Sequence, residues 1–153
     1  MNNFILKSPF ADLMVKSFEL VDTTLLNPTV SDPLVMGEWL EINDITYKMK
    51  RGTGDATVPS FVFFQGQGSY DIQAIGKAPF LFLGPYEADT LVFDSTGLTS
   101  VGLPLMVTTI SFGGSTIIRG LKLNDTPATK YTVGYVTRLP AYNNNYLRFM
   151  RVK

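Results

Sequence analysis

The stretch "LPLMVTTISFGGSTIIRGLKL", residues 103–123, decides the fold class. Gly113-Gly114 lies between two runs rich in Val, Ile, Thr, Leu and Phe. Paired glycines supply the positive φ of a tight turn, and β-branched and aromatic neighbours favour pleated chain, so the stretch predicts a β-hairpin. Downstream, "TVGYVTR" (132–138) and "YLRFM" (146–150) read as two more strands across a polar loop holding Asn143–Asn145. In the last of them Leu147 and Phe149 point one way and Arg148 the other. A strand this close to the end of the sequence predicts a sheet that closes on itself with its last strand in the seam.

Upstream the signals repeat. "MGEWLEI" (36–42) places Leu40 and Ile42 on one face and Trp39 and Glu41 on the other. "ITYKMKR" (45–51) alternates, with Ile45, Tyr47 and Met49 on one side, and Asn43-Asp44 suits a tight hairpin turn before it. "VPSFVFFQG" and "YDIQAI" flank Gly66–Gly68 as another candidate hairpin, and "APFLFLGP" and "DTLVFD" are further short strands. The expectation is an all-β chain, a small β-barrel or sandwich of about ten short strands.

Residues 1–33 read differently and are expected to form an N-terminal arm, with residues 34–153 as the barrel domain. Ser8-Pro9 suits a helix start, and Phe10, Leu13, Met14, Phe18 and Val21 fall near one helical face. Pro28 and Pro33 end any such helix. An extended arm is the alternative, as is an amphipathic helix packed on its own barrel.

The 153 residues are enough for one domain with its own core. There is no cysteine, so disulfides and Cys-based metal sites are excluded. There is no histidine, so Ser-His-Asp, Cys-His and His-zinc chemistry are excluded too. Thirteen basic and thirteen acidic residues cancel without a basic block, which gives no footprint for nucleic acid. No apolar run approaches the ~20 residues that span a bilayer, and the first residues are broken by Lys7, Pro9, Asp12 and Lys16 rather than forming a secretion signal. Only 17% of residues are charged, with eleven Phe and seven Tyr, which fits an aromatic β core or surface covered by partners.

Motifs that carry chemistry are weak. "AIGKAP" has Asp71 where a phosphate loop needs glycine and Ala78 where it needs a hydroxyl, so Gly76-Lys77 reads as a turn. Glu38/Glu41 and Glu87/Asp89 are the nearest carboxylate pairs, and structural roles are expected for them. Asn124-Asp125-Thr126 is formally a glycosylation acceptor. No cofactor, metal or catalytic residue is expected. Trp39, Tyr142 and Tyr146 are candidate contact aromatics, for a protein partner or a sugar ring.

The strand that opens with "GEWLEI", the run of short strands, "VGYVTR", the polar loop and the closing "YLRFMRV" together resemble the capsid decoration (cement) proteins of tailed bacteriophages. The resemblance covers about residues 34–153 in layout, while residues 48–110 are longer and more aromatic. It implies a structural virion protein without catalytic residues that is assembled in the host cytoplasm and coats the outside of a capsid. It also implies binding to the major capsid protein, often as a trimer, with a dimer as the other oligomer considered. N-terminal arms of such proteins dock on the shell, which points to Phe4, Leu6 and Phe10 as capsid contacts and to Trp39, Tyr142 and Tyr146 near a subunit contact. The other readings are a carbohydrate-binding module, a phage tail or baseplate adaptor, and a histidine-free hydrolase with close carboxylates in a cleft.

Overall fold

The hairpin at the glycine pair forms as its residues dictate. β8 (Pro104–Phe112) and β9 (Thr116–Leu123) pair antiparallel from Leu105 opposite Leu123 to Phe112 opposite Thr116. Gly113 and Gly114 take φ of 64° and 91°, which a side chain would disfavour. The structure, a computed structural model, describes residues 2–9, 14–27, 29–64, 77–83, 85–114 and 116–152. The candidate hairpin at Gly66–Gly68, residues 70–75 and Phe10 lie outside these.

The other described strands are β1 (Phe4–Pro9), β2 (Met14–Glu19), β3 (Trp39–Ile42), β4 (Met49–Lys50), β5 (Ser60–Phe63), β6 (Lys77–Leu83), β7 (Tyr86–Thr90), β10 (Gly134–Arg138) and β11 (Leu147–Arg151). They form two antiparallel sheets. One has the order β1-β7-β11-β10-β8-β9 and the other β2-β6-β5-β3-β4. The protein is thus all-β, as its composition and turns imply.

Each sheet curls until its far edge meets chain from elsewhere in the same sheet. In the five-stranded sheet, Leu20 continues β2 and bridges Met49 of β4 in parallel, and the Val21 N–H donates to the Met49 carbonyl at 2.9 Å. In the six-stranded sheet, Phe93 continues β7 and bridges Leu121 of β9, with the Asp94 N–H on the Leu121 carbonyl and the Leu121 N–H on the Val92 carbonyl. These bridges, and not the last strand, close each curl, from β4 to the end of β2 and from β9 to the end of β7. The expectation of a terminal strand in the seam is wrong: β11 lies inside its sheet, between β7 and β10. Its partner β10 approaches so closely that a β-carbon on Gly134 would run into the Met150 carbonyl oxygen.

The separate N-terminal arm is also corrected. β1 pairs with β7 from Phe4 opposite Thr90, and β2 pairs with β6 from Val15 opposite Leu81 to Glu19 opposite Lys77. Residues 1–33 therefore supply an edge strand to each sheet rather than an arm beside a barrel. The helical spacing gives way because Phe18 and Leu20 alternate inward at strand period, and both are buried. A short 3-10 turn, Thr23–Leu26, follows, started by the Asp22 side chain, which accepts the Thr24 N–H.

The sheets share a core of Phe4, Trp39, Val62, Leu81, Tyr86, Leu105, Leu121, Val136, Leu147, Phe149 and their neighbours. A second cluster fills the curl of the five-stranded sheet, where Leu25 and Leu26 of the 3-10 turn cover Phe18, Leu40, Met49, Phe63 and Phe80. β3 is thus covered on both faces, Trp39 toward one cluster and Leu40 toward the other.

Candidate functional site

Of the residues expected to meet a capsid, Phe4 is completely buried in the shared core, edge-on to Phe64 at 5.9 Å and Tyr86 at 6.3 Å. Leu6 is half-buried against the same cluster, and Phe10 lies outside the described residues. Trp39, expected at a subunit contact, is completely buried 5.8 Å from Phe149, which also packs on Phe4. The expectation of Phe4 and Trp39 at an outer contact is therefore corrected, because both are needed to fill the space between the sheets. Tyr142 is 76% exposed in the loop before β11, while the half-buried Tyr146 donates its hydroxyl to the Asn2 carbonyl. The aromatic platform that a carbohydrate-binding module would need is therefore not assembled.

The buried charges hold the fold. Glu38 is sealed from solvent and accepts Arg51 through both carboxylate oxygens, at 2.6 and 2.9 Å, and the Val35 N–H at 3.3 Å. Arg51 also donates to the Asp32 and Pro33 carbonyls, which ties that segment to β4. Burial pushes the Glu38 carboxyl above its ordinary range against the pull of Arg51. On the six-stranded sheet, Asp89 accepts Arg148 at 2.8 and 3.1 Å and Asn143 at 3.0 Å, with Lys7 at 3.6 Å. Burial pushes Asp89 up, but those donors and charges outweigh it and hold the carboxyl below its usual range.

A polar cleft of about 480 Å³ opens between β3, β4 and the 53–59 loop, lined by Glu41, Asp44, Lys50, Thr53 and Asp55. Beside it the buried Arg119 donates to the Gly54 carbonyl and to Thr109 Oγ1. Thr108 donates to Asp55 at 2.7 Å and, with Lys122 nearby, keeps that carboxyl below its usual range. Acid–base hydrolysis at neutral pH needs one raised carboxyl facing the opening. Glu38 is raised but sealed, and Asp55 faces the cleft but is held low. Nor is Asn124 open to modification in the folded chain. It is buried, its amide nitrogen donates to Thr132 Oγ1 at 2.9 Å and its amide oxygen accepts the Thr126 N–H at 3.1 Å.

The surface that stands out is the rim of the five-stranded sheet. The expected alternation of "ITYKMKR" breaks here, because residues 43–48 form a turn. Asn43 Oδ1 accepts the N–H groups of Ile45 and Thr46, each at 3.0 Å, and the Tyr47 N–H donates to the Asn43 carbonyl at 2.8 Å. Tyr47 is forced to φ 57°, an uncommon conformation for a bulky residue. The turn leaves Ile45 84% and Tyr47 73% exposed. It stands over β2, where Val15 and, just beyond, Val21 are also exposed. Between turn and strand runs a groove of about 340 Å³ lined by Lys16, Ser17, Phe18, Glu19, Thr46, Tyr47, Lys48 and Lys77. Lys48 pairs with Glu19 at 3.2 Å, and Lys16 lies over the rings of Phe18 and Phe82 at 5.2 and 5.6 Å. Lys16 and Lys77 meet no carboxylate among the described residues. The sequence reading missed this rim, and its signal was Asn43, whose side chain starts a longer turn than a hairpin needs.

Among the described residues no group of acidic side chains could hold a metal, and no helix is long and apolar enough to cross a membrane. No family model, no curated protein and no solved structure matches this chain.

Proposed function

We propose that this protein is a structural, non-catalytic component of a phage particle that docks on the outside of the capsid and stabilises it. One observation supports this reading most. The buried carboxylates Glu38 and Asp89 are bound by the fold's own cations, while Val15, Val21, Ile45 and Tyr47 stand in water along β2 and the 43–48 turn, and Lys16 and Lys77 there meet no carboxylate among the described residues. Apolar side chains grouped in this way favour a covering partner over a small substrate. Many copies, each docking with modest affinity, would together resist shedding and expansion of the shell.

The test is cosedimentation of the purified chain with expanded capsids that lack it. Saturable binding and a higher disruption temperature of the shell are expected. A chain that stays in the supernatant overturns the reading. Light scattering separates the rival virion role: a trimer of the 16.9 kDa chain agrees with capsid docking, and closed rings point to a tail or baseplate adaptor.

A further inference from the structure

We propose that one small monovalent anion, of chloride size, binds inside the protein where the two sheets meet, held by the indole N–H of Trp39 and the hydroxyls of Ser60 and Tyr86 beside the guanidinium of Arg151. The inference does not rest on the docking role above.

The Trp39 Nε1, Ser60 Oγ and Tyr86 Oη atoms are sealed from solvent and have no hydrogen-bond partner among the described residues. Buried polar atoms in this condition are rare in folded proteins, and a bound ion or water is one of the few ways to satisfy them. Here three of them share one neighbour. The Arg151 guanidinium lies 5.4 Å from the centre of the Trp39 ring, and its Nη1 donates to the Ser60 carbonyl at 2.6 Å. Tyr86 is the partner of Arg151 across β7 and β11, and the positive charge acts on its hydroxyl. Trp39 pairs with Val62, two residues after Ser60, so the Trp39 and Ser60 side chains share the face of their sheet that meets the other. Each sheet thus brings two of these residues to one place.

The donors select the occupant. An indole N–H can only donate. Burial pushes the Tyr86 hydroxyl up to about 12 against the pull of Arg151, so it stays protonated and can donate as well. The Ser60 hydroxyl rotates to suit. Three donors beside a fixed positive charge call for an acceptor that carries negative charge, and they repel a metal cation. The site uses the charge of Arg151 and none of its N–H groups, so the bonds this arginine makes are kept. All four residues are at most 3% exposed, which shuts out phosphate, sulfate or a carboxylate ligand and leaves a single-atom anion. An anion held from both sheets binds the folded chain alone, so it ties stability to chloride concentration.

Trp39 is the single tryptophan and reports on the site directly. The full chain is titrated with sodium bromide, whose heavy atom quenches indole fluorescence, with ionic strength held constant by sodium gluconate. Saturable quenching that chloride reverses is expected, while neutral acrylamide leaves the buried ring bright. Chloride should also raise the melting temperature above its value in gluconate. Ser60→Ala and Tyr86→Phe each remove one donor and keep the core filled, and each should raise the half-saturating bromide concentration about tenfold. A crystal of the parent chain soaked in bromide should show an anomalous peak within hydrogen-bond reach of Trp39 Nε1, Ser60 Oγ and Tyr86 Oη, and this readout needs neither variant to fold. Quenching that never saturates, parent-like quenching in both variants, or a melting temperature indifferent to chloride overturns the proposal. So does a crystal with water among these atoms, or with bromide on the surface as an adventitious ion only.

Discussion

The two halves of the molecule arrange their charged side chains differently. The six-stranded half ties several outer charges across its strands: Lys7 of β1, Asp89 of β7 and Arg148 of β11 form one cluster, and Thr137 of β10 reaches past β11 to donate to Glu87 of β7. The five-stranded half is aromatic, with Phe18, Phe61, Phe63, Phe80 and Phe82 in contact, and its rim leaves lysines and apolar residues in water. A surface whose polar groups satisfy one another gains little from a partner. A surface with unmatched cations and exposed apolar area gains more. The six-stranded half also leaves Val101, Ile117, Tyr135, Tyr142 and Val152 in water, so the halves differ in how their charges are tied rather than in apolar exposure.

The largest effects should appear where the halves share a core. Phe149→Ala removes the ring that touches Phe4, Trp39 and Tyr86 and should cost about 3–5 kcal/mol in denaturant unfolding. Phe80→Ala in the five-stranded half should cost a similar amount. Both should lower one common transition, since Trp39, Val62 and Leu81 of one sheet pack with Leu105 and Leu147 of the other. Two separate transitions would break the picture of joined halves. Phe4→Ala should also fall near 3–5 kcal/mol, whereas a residue on a free arm would cost almost nothing.

The charge clusters come next, and pH tells them apart. Arg51→Ala leaves Glu38 buried without its partner and should cost about 3–5 kcal/mol at neutral pH. Glu38 has a raised folded pKa, so the folded state binds its proton more readily than the unfolded state. Its contribution to stability therefore falls as pH rises from 4.5 through the folded value, and the variant should steepen that fall. Asp89 has the opposite sign. Its contribution is present above 3.8 and is lost as pH falls from there through the lowered folded value. Asp89→Asn should cost about 1–3 kcal/mol at neutral pH and flatten the acid limb of the stability curve. Equal pH slopes in the two variants would contradict the assignment. The smallest effect belongs to the rim: Ile45→Ser should shift stability by no more than about 0.5 kcal/mol.

The legible parts of the fold were those where one residue type forces one geometry. The glycine pair at 113–114 admits a turn and little else, and the flanking strands formed where the pattern placed them. β2 was hidden because Phe18 and Val21 also suit a helical face, and only pairing with β6 decides between the periods. Tyr47 misled for a related reason. Its alternation with Ile45 and Met49 is real in sequence, but Asn43 captures the backbone first and turns it. Trp39 read as a contact residue because it lies opposite Leu40, and a strand covered on both faces looks the same in sequence as one with a wet side. The groove was out of reach, since Lys16, Lys48 and Lys77 are far apart in the chain and meet only when the sheet curls.

The bridging of both sheets by residues 4–19 has a consequence for synthesis. β1 needs residues 86–90 and β2 needs residues 77–83, so each must wait for some sixty or more further residues before it can pair. Until then Phe4 and Phe18 have no socket, and two unpaired strands trail from the ribosome. Their late docking closes loops of high entropic cost, which makes this segment the natural place for a chaperone to hold and for misfolding to begin.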